Sequence, residues 1–236
     1  MVRVDMVQAQ THSTSTMGEN LKILVVDDHP VFLTGTLNIL SHQFPNAEIH
    51  QAKPALEVYK SLENLKFDLI LMDLSIPKKT GDTASTETGI QLLQQLLQDY
   101  PMQNFVAQTS YVKALVRIRH DIDNHQGGFA IADKTLSESE MLVRLNLALK
   151  GATHTREIRT GIELKPDWLE VLRLAFEEGL TDKGIAERMF KSERAIRTYW
   201  TKIQDVLGVY PEDCKQNDKN LRIQTKIHAR EEGLID

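Results

Sequence analysis

Short, mostly apolar runs alternate with stretches of helical periodicity from residue 21 to residue 150, and beyond residue 162 the pattern is helical throughout. The runs at 21–26 and 67–72 are too short for a surface helix and too apolar for a half-exposed strand. They suit strands covered on both faces, as in a parallel sheet. Residues 47–52, 104–108 and 129–133 supply three further strand patterns. Between and after them, residues 31–41, 54–65, 89–100, a basic stretch at 113–120 and a segment closing near 150 read as helices. Ser137 and Glu140 form a capping box at the start of the last one. Five strands alternating with five helices predict an α/β doubly wound, five-stranded parallel sheet of the flavodoxin-like kind over residues 21–150. Residues 78–88 read as a polar insertion, and residues 121–128 as a long connection.

Residues 151–161, with Thr, Arg and Gly and little apolar content, read as a linker. The remainder, 162–236, predicts an all-α second domain. Pro166 opens a helix burying Trp168, Leu169, Leu172 and Phe176. Thr181 caps a short helix, and Ser192 caps the next, which Gly208 stops. On that helix Ile196, Tyr199, Trp200, Ile203 and Leu207 share an inward face, while Arg194, Arg197, Thr198 and Thr201 share the opposite one. Between Arg188 and Lys202 five cations stand against one anion. A cationic helix following another helix through a tight turn has what a helix-turn-helix needs, phosphate contacts and base-edge contacts.

Composition narrows the picture. The chain has 236 residues, 41% hydrophobic and 26% charged, which accommodates two packed domains. A net charge of −5 means that any nucleic-acid site is a local patch rather than a global field. No apolar stretch approaches the ~20 residues that span a bilayer. Cys214 is the single cysteine, so no internal disulfide forms, as expected in the reducing cytoplasm. Residues 1–20 are polar, lack the apolar core of a signal peptide, and read as a disordered tail.

The chemistry collects at predicted strand ends. Asp27 and Asp28 follow the first strand, Asp73 the third, Thr109 the fourth and Lys134 the fifth. In open α/β sheets, ligands bind at those carboxyl ends. Three carboxylates can hold Mg²⁺, a hard cation that favours oxygen ligands. Asp73 can attack phosphorus to give an aspartyl phosphate, with Thr109 and Lys134 available to the new phosphoryl oxygens. His29 reads as a loop or capping residue.

The segments Val26-Asp27-Asp28-His29-Pro30 and Met72-Asp73-Leu74-Ser75-Ile76-Pro77, with Thr109-Ser110 and Lys134, resemble a bacterial response-regulator receiver domain. The resemblance implies Asp73 as phosphoacceptor, Asp28 as a direct Mg²⁺ ligand, Asp27 acting through water, the Ser75 carbonyl as a further ligand, and Thr109 with Lys134 as the switch pair. The segments Gly179-Leu180-Thr181-Asp182-Lys183-Gly184-Ile185-Ala186, Ser192-Glu193-Arg194-Ala195-Ile196-Arg197 and Leu207-Gly208-Val209 resemble the LuxR-type helix-turn-helix of NarL/FixJ regulators. By that resemblance Arg197 and Thr198, then Arg194 and Lys202, contact DNA. The implied protein is a cytoplasmic, non-enzymatic transcription factor. A sensor histidine kinase phosphorylates it, and it binds double-stranded DNA as a homodimer without membrane attachment. Departures from the pattern are Ile131 where receivers carry an aromatic, Thr135 where proline is common, Thr201 where the family is basic, and an insertion at 211–219. They point to two alternatives, a phosphorylation-independent regulator and a protein-binding adaptor. A haloacid-dehalogenase-like phosphatase ranks last, because it needs an Asp where Ser75 stands.

Overall fold

The computed structural model describes residues 21–159 and 164–236; the tail at 1–20 and the end of the expected linker lie outside them. Strands β1 (Lys22–Val26), β2 (Glu48–Ala52), β3 (Leu69–Met72), β4 (Phe105–Thr109), β5 (Phe129–Asp133) and β6 (Thr153–His154) form one all-parallel sheet in the order β2-β1-β3-β4-β5-β6. Helices α1 (Pro30–Gln43) and α5 (Glu138–Leu149) cover one face through Leu33, Leu40, Met141, Leu145 and Ala148, packed on Ile23, Val25, Leu71 and Val106. Helices α2 (Ala55–Asn64), α3 (Thr86–Asp99) and α4 (Arg119–Asn124) cover the other through Val58, Leu93, Leu96 and Ile122, packed on Leu24, Val26, Ile70 and Met72. Every residue of β3 and β4 is buried, which is why β3 is apolar throughout and β4 through Ala107.

Four expectations change. The sheet has six strands rather than five. Beyond Gly151, at φ +72°, the chain turns back along the edge of β5, where Thr153 and His154 pair with Phe129 and Ala130. Two residues of pairing leave no apolar signature, so β6 is invisible in the pattern. The stretch read as linker therefore carries β6 and a helical turn, α6 (Arg156–Arg159), whose Ile158 joins the sheet's core. Helix α3 begins at Thr86, three residues before the apolar face suggests, because the Ser85 hydroxyl accepts the Thr88 N–H. The basic helix at 113–120 is a 3₁₀ turn, Val112–Ile118, continuing into α4.

Gly89 shows why α3 can sit so low on the sheet. A Cβ there would lie 1.9 Å from the Leu74 carbonyl oxygen, so only glycine allows the approach.

The second domain packs α7 (Pro166–Phe176), α8 (Asp182–Arg188), α9 (Glu193–Leu207), α10 (Pro211–Gln216) and α11 (Leu221–Glu231) around Leu172, Ile185, Ile196, Trp200, Ile203 and Ala229. Thr181 and Ser192 accept N–H bonds from Gly184 and Ala195, capping α8 and α9. Gly208 closes α9 in the left-handed region at φ +66°. The insertion at 211–219 is largely α10. The C-terminal segment reaches back to the first domain. Lys113 Nζ meets Glu232 at 2.5 Å, and Asp236 accepts the Glu87 N–H at 3.2 Å.

Candidate functional site

The parallel sheet reverses its winding between β1 and β3, since β1 leads outward to β2 while β3 continues to the other side. A crevice opens at such a switch point, beyond the carboxyl ends of both strands. Register carries the carboxylates there. Val26 pairs with Met72, and the Asp73 N–H donates to the Val26 carbonyl at 2.8 Å, so Asp27 and Asp73 leave the sheet side by side. Lys134 arrives from the end of β5, its own N–H on the Thr109 carbonyl at 3.2 Å.

Lys134 Nζ donates to Asp27 Oδ2 at 2.9 Å and to Asp73 Oδ2 at 2.8 Å. All three side chains are almost fully buried, at 4%, 3% and 2% exposure. The remaining oxygens are held locally. Asp27 Oδ1 accepts the His29 N–H at 2.8 Å, and Asp73 Oδ1 accepts the Leu74 N–H at 2.7 Å. Burial pushes the Asp73 carboxyl above the usual carboxylate range, and the Lys134 bridge pulls it back only in part. Phe32 roofs the ammonium, its ring centroid 4.4 Å from Lys134 Nζ.

Asp28 Oδ1 is buried and, among the described residues, accepts no hydrogen bond, with His29 Nδ1 3.1 Å away. An orphaned carboxylate oxygen beside two more carboxylates and one ammonium is a group that calls for a cation. Asp27, Asp28 and Asp73 fit a small hard divalent ion, which usually binds through one or two carboxylates. The structure adds a residue expected to be a loop or capping residue. The His29 ring stands among these oxygens, with Nδ1 3.1 Å from Asp28, 3.4 Å from Asp27 and 3.4 Å from Asp73. It occupies the N-cap position of α1 but makes no side-chain cap.

The other expected residues lie as follows. Ser75 is half-buried in the turn beyond Asp73, and its backbone hydrogen-bonds the Asp73 carboxylate. Thr109 is fully buried at the end of β4, and its hydroxyl oxygen accepts the Tyr111 N–H at 3.0 Å. Among the described residues no hydrogen bond joins it to Asp73. Ile131 is fully buried inside the sheet.

In the second domain Arg194, Arg197, Thr198 and Lys202 are all exposed along α9. The opposite face is fastened to three helices. Tyr199 donates to Asp167 at 2.9 Å, Trp200 Nε1 to Asp182 at 3.0 Å, and the Arg222 guanidinium stacks 3.5 Å from the Trp200 ring. Arg197 leans back on Glu193 at 3.6 Å in an exposed i,i+4 pair, a weak restraint that a phosphate can replace.

Residues 23–119 match the response regulator receiver domain family. That match stops before β5 and Lys134. The oxygen regulatory protein NreC of Staphylococcus aureus is 24% identical over 210 residues, covering 80% of this chain and 92% of that protein. Two RcsB dimers bound to two parallel DNAs give a TM-score of 0.60 at 21% identity, covering 90% of this chain and 99% of RcsB. RcsB from Salmonella enterica serovar Typhimurium, bound to promoter rprA with the phosphomimetic BeF3-, gives 0.53 at 23% identity over 84% of this chain and 98% of that one. At these identities the structures show a shared fold, a receiver domain followed by a helix-turn-helix domain.

Proposed function

We propose that this response regulator, a receiver domain joined to a helix-turn-helix domain, is a cytoplasmic transcription factor. A sensor histidine kinase phosphorylates it on Asp73, and α9 contacts promoter DNA, with two copies binding together. The convergence of Asp27, Asp28, Asp73 and Lys134 on one crevice carries this reading.

An Asp73 carboxylate oxygen attacks the phosphorus of a phosphohistidine. The new O–P bond forms as the P–N bond breaks, and the histidine nitrogen leaves with the electron pair. Asp27, Asp28, Asp73 and the Ser75 carbonyl would hold Mg²⁺, which supplies charge neutralisation on the phosphoryl oxygens. Lys134 already bridges Asp27 and Asp73, so it need move little to pair with a phosphoryl oxygen. Thr109 donates its hydroxyl to another while its oxygen still accepts the Tyr111 N–H, which links the crevice to the turn at 112–118. Arg197, Arg194, Thr198 and Lys202 present three cations and a hydroxyl to the DNA backbone and base edges.

The test is labelling with acetyl phosphate and Mg²⁺, read by intact-mass spectrometry. Wild type should gain one phosphoryl group and Asp73→Asn none. Equal labelling of both would place the acceptor elsewhere. One observation favours a second reading, in which DNA binding does not depend on phosphorylation. Ile131 is buried where receivers carry an aromatic ring, so no ring is present there to change rotamer on phosphorylation. DNA affinity unchanged in Asp73→Asn and in the labelled protein would select that reading.

A further inference from the structure

We infer that His29 is a ligand of the crevice cation, and that it shifts the site's choice from magnesium toward a first-row transition ion such as Mn²⁺. This rests on the metal-pocket reading above. The acidic residues alone describe an all-oxygen site, which suits a hard ion. The His29 ring changes the donor set to three carboxylates and one nitrogen.

The spacing fits coordination. Adjacent ligands around an octahedral cation with bonds of about 2.1 Å lie ~3 Å apart. His29 Nδ1 stands 3.1, 3.4 and 3.4 Å from oxygens of Asp28, Asp27 and Asp73, close enough for one cation to be shared among them. One of those oxygens, Asp28 Oδ1, is the buried acceptor without a hydrogen bond. The Lys134 ammonium takes the Oδ2 atoms of Asp27 and Asp73, while His29 faces Oδ1 of Asp27 and Asp28. Histidine and lysine therefore approach Asp27 through different oxygens but share Asp73 Oδ2, 2.8 Å from Lys134 Nζ and 3.4 Å from His29 Nδ1, so an ion beside His29 competes with the ammonium at Asp73 and not at Asp27.

The ring is also positioned. Its backbone N–H is fixed on Asp27 Oδ1, Pro30 at the first position of α1 holds the backbone of His29 before it in the extended region, and the Phe32 ring meets the imidazole edge-on with centroids 6.4 Å apart. Affinity at nitrogen-containing sites rises along the first-row series from Mn²⁺, its weakest member, and an imidazole nitrogen adds more to these ions than to magnesium, which keeps to oxygen ligands.

The experiment loads the full-length chain with Mn²⁺ and records pulsed electron paramagnetic resonance, with Mg²⁺ competition run alongside. The expected result is nitrogen-14 coupling in wild type that disappears in His29→Gln, persists in His50→Gln, and accompanies about a tenfold fall in preference for Mn²⁺ over Mg²⁺. His29 is about half exposed, so its substitution leaves the core intact. Bound Mn²⁺ with no nitrogen coupling in wild type, abolished by Asp28→Asn, would overturn the role of His29 and leave the acidic pocket standing. No Mn²⁺ binding by wild type would overturn the metal pocket itself and the inference with it.

Discussion

Replacing Lys134 with methionine should destabilise the first domain by about 3–5 kcal/mol at neutral pH, the cost of removing one partner from a buried ion pair. Among the described residues Lys134 is the single ammonium bonded to Asp27 and Asp73, and both carboxylates are almost fully enclosed. Without it they face one another with Asp28 alongside. For a domain of this size the loss corresponds to a fall in Tm of roughly 10 °C or more. Urea unfolding followed by far-ultraviolet circular dichroism measures it. Both tryptophans, Trp168 and Trp200, lie in the helical domain, so their fluorescence reports that domain separately and should move less. The pH dependence has a defined sign. Burial raises the Asp73 carboxyl above its unfolded value, so the folded state holds that proton more tightly. This group's stabilising contribution is complete below the unfolded carboxylate range and is lost as pH rises through the folded value. Lys134 lowers that folded value, so the deficit of the variant should shrink in acid and grow toward neutrality. Millimolar Mg²⁺ should recover more stability in Lys134→Met than in wild type, because a cation offsets the same carboxylates. A deficit below about 1 kcal/mol, the range of exposed pairs, or one independent of pH, would refute the reasoning.

Two further expectations concern the scaffold and the second domain. Gly89→Ala should cost about 3 kcal/mol or more, since the new methyl meets the Leu74 backbone and no flexible side chain can yield; urea unfolding checks it. Arg197→Ala should weaken binding to genomic fragments at every salt concentration and lower the salt slope by about one phosphate contact, as read by gel shift; an unchanged slope would move the contact away from Arg197.

What the sequence determined about this protein is what neighbouring residues decide among themselves. Apolar runs at β1, β3 and β4 read as buried parallel strands because both their faces are covered. Ser137 with Glu140, Thr181, Ser192 and Gly208 mark helix ends through bonds made within a few residues. The order of acidic, hydroxyl and amino groups at strand ends was legible for the same reason, since a parallel sheet delivers every strand end to one edge. What only the tertiary structure decided depends on residues far apart in the chain. β6 exists because an open edge of β5 offers hydrogen-bonding groups to any extended segment beside it. Lys134 reaches Asp27 and Asp73 across 107 and 61 positions. The His29 ring turns onto three carboxylates that no local pattern could show to be within reach, because side-chain direction is set by the packed surroundings and not by the motif in which the residue stands.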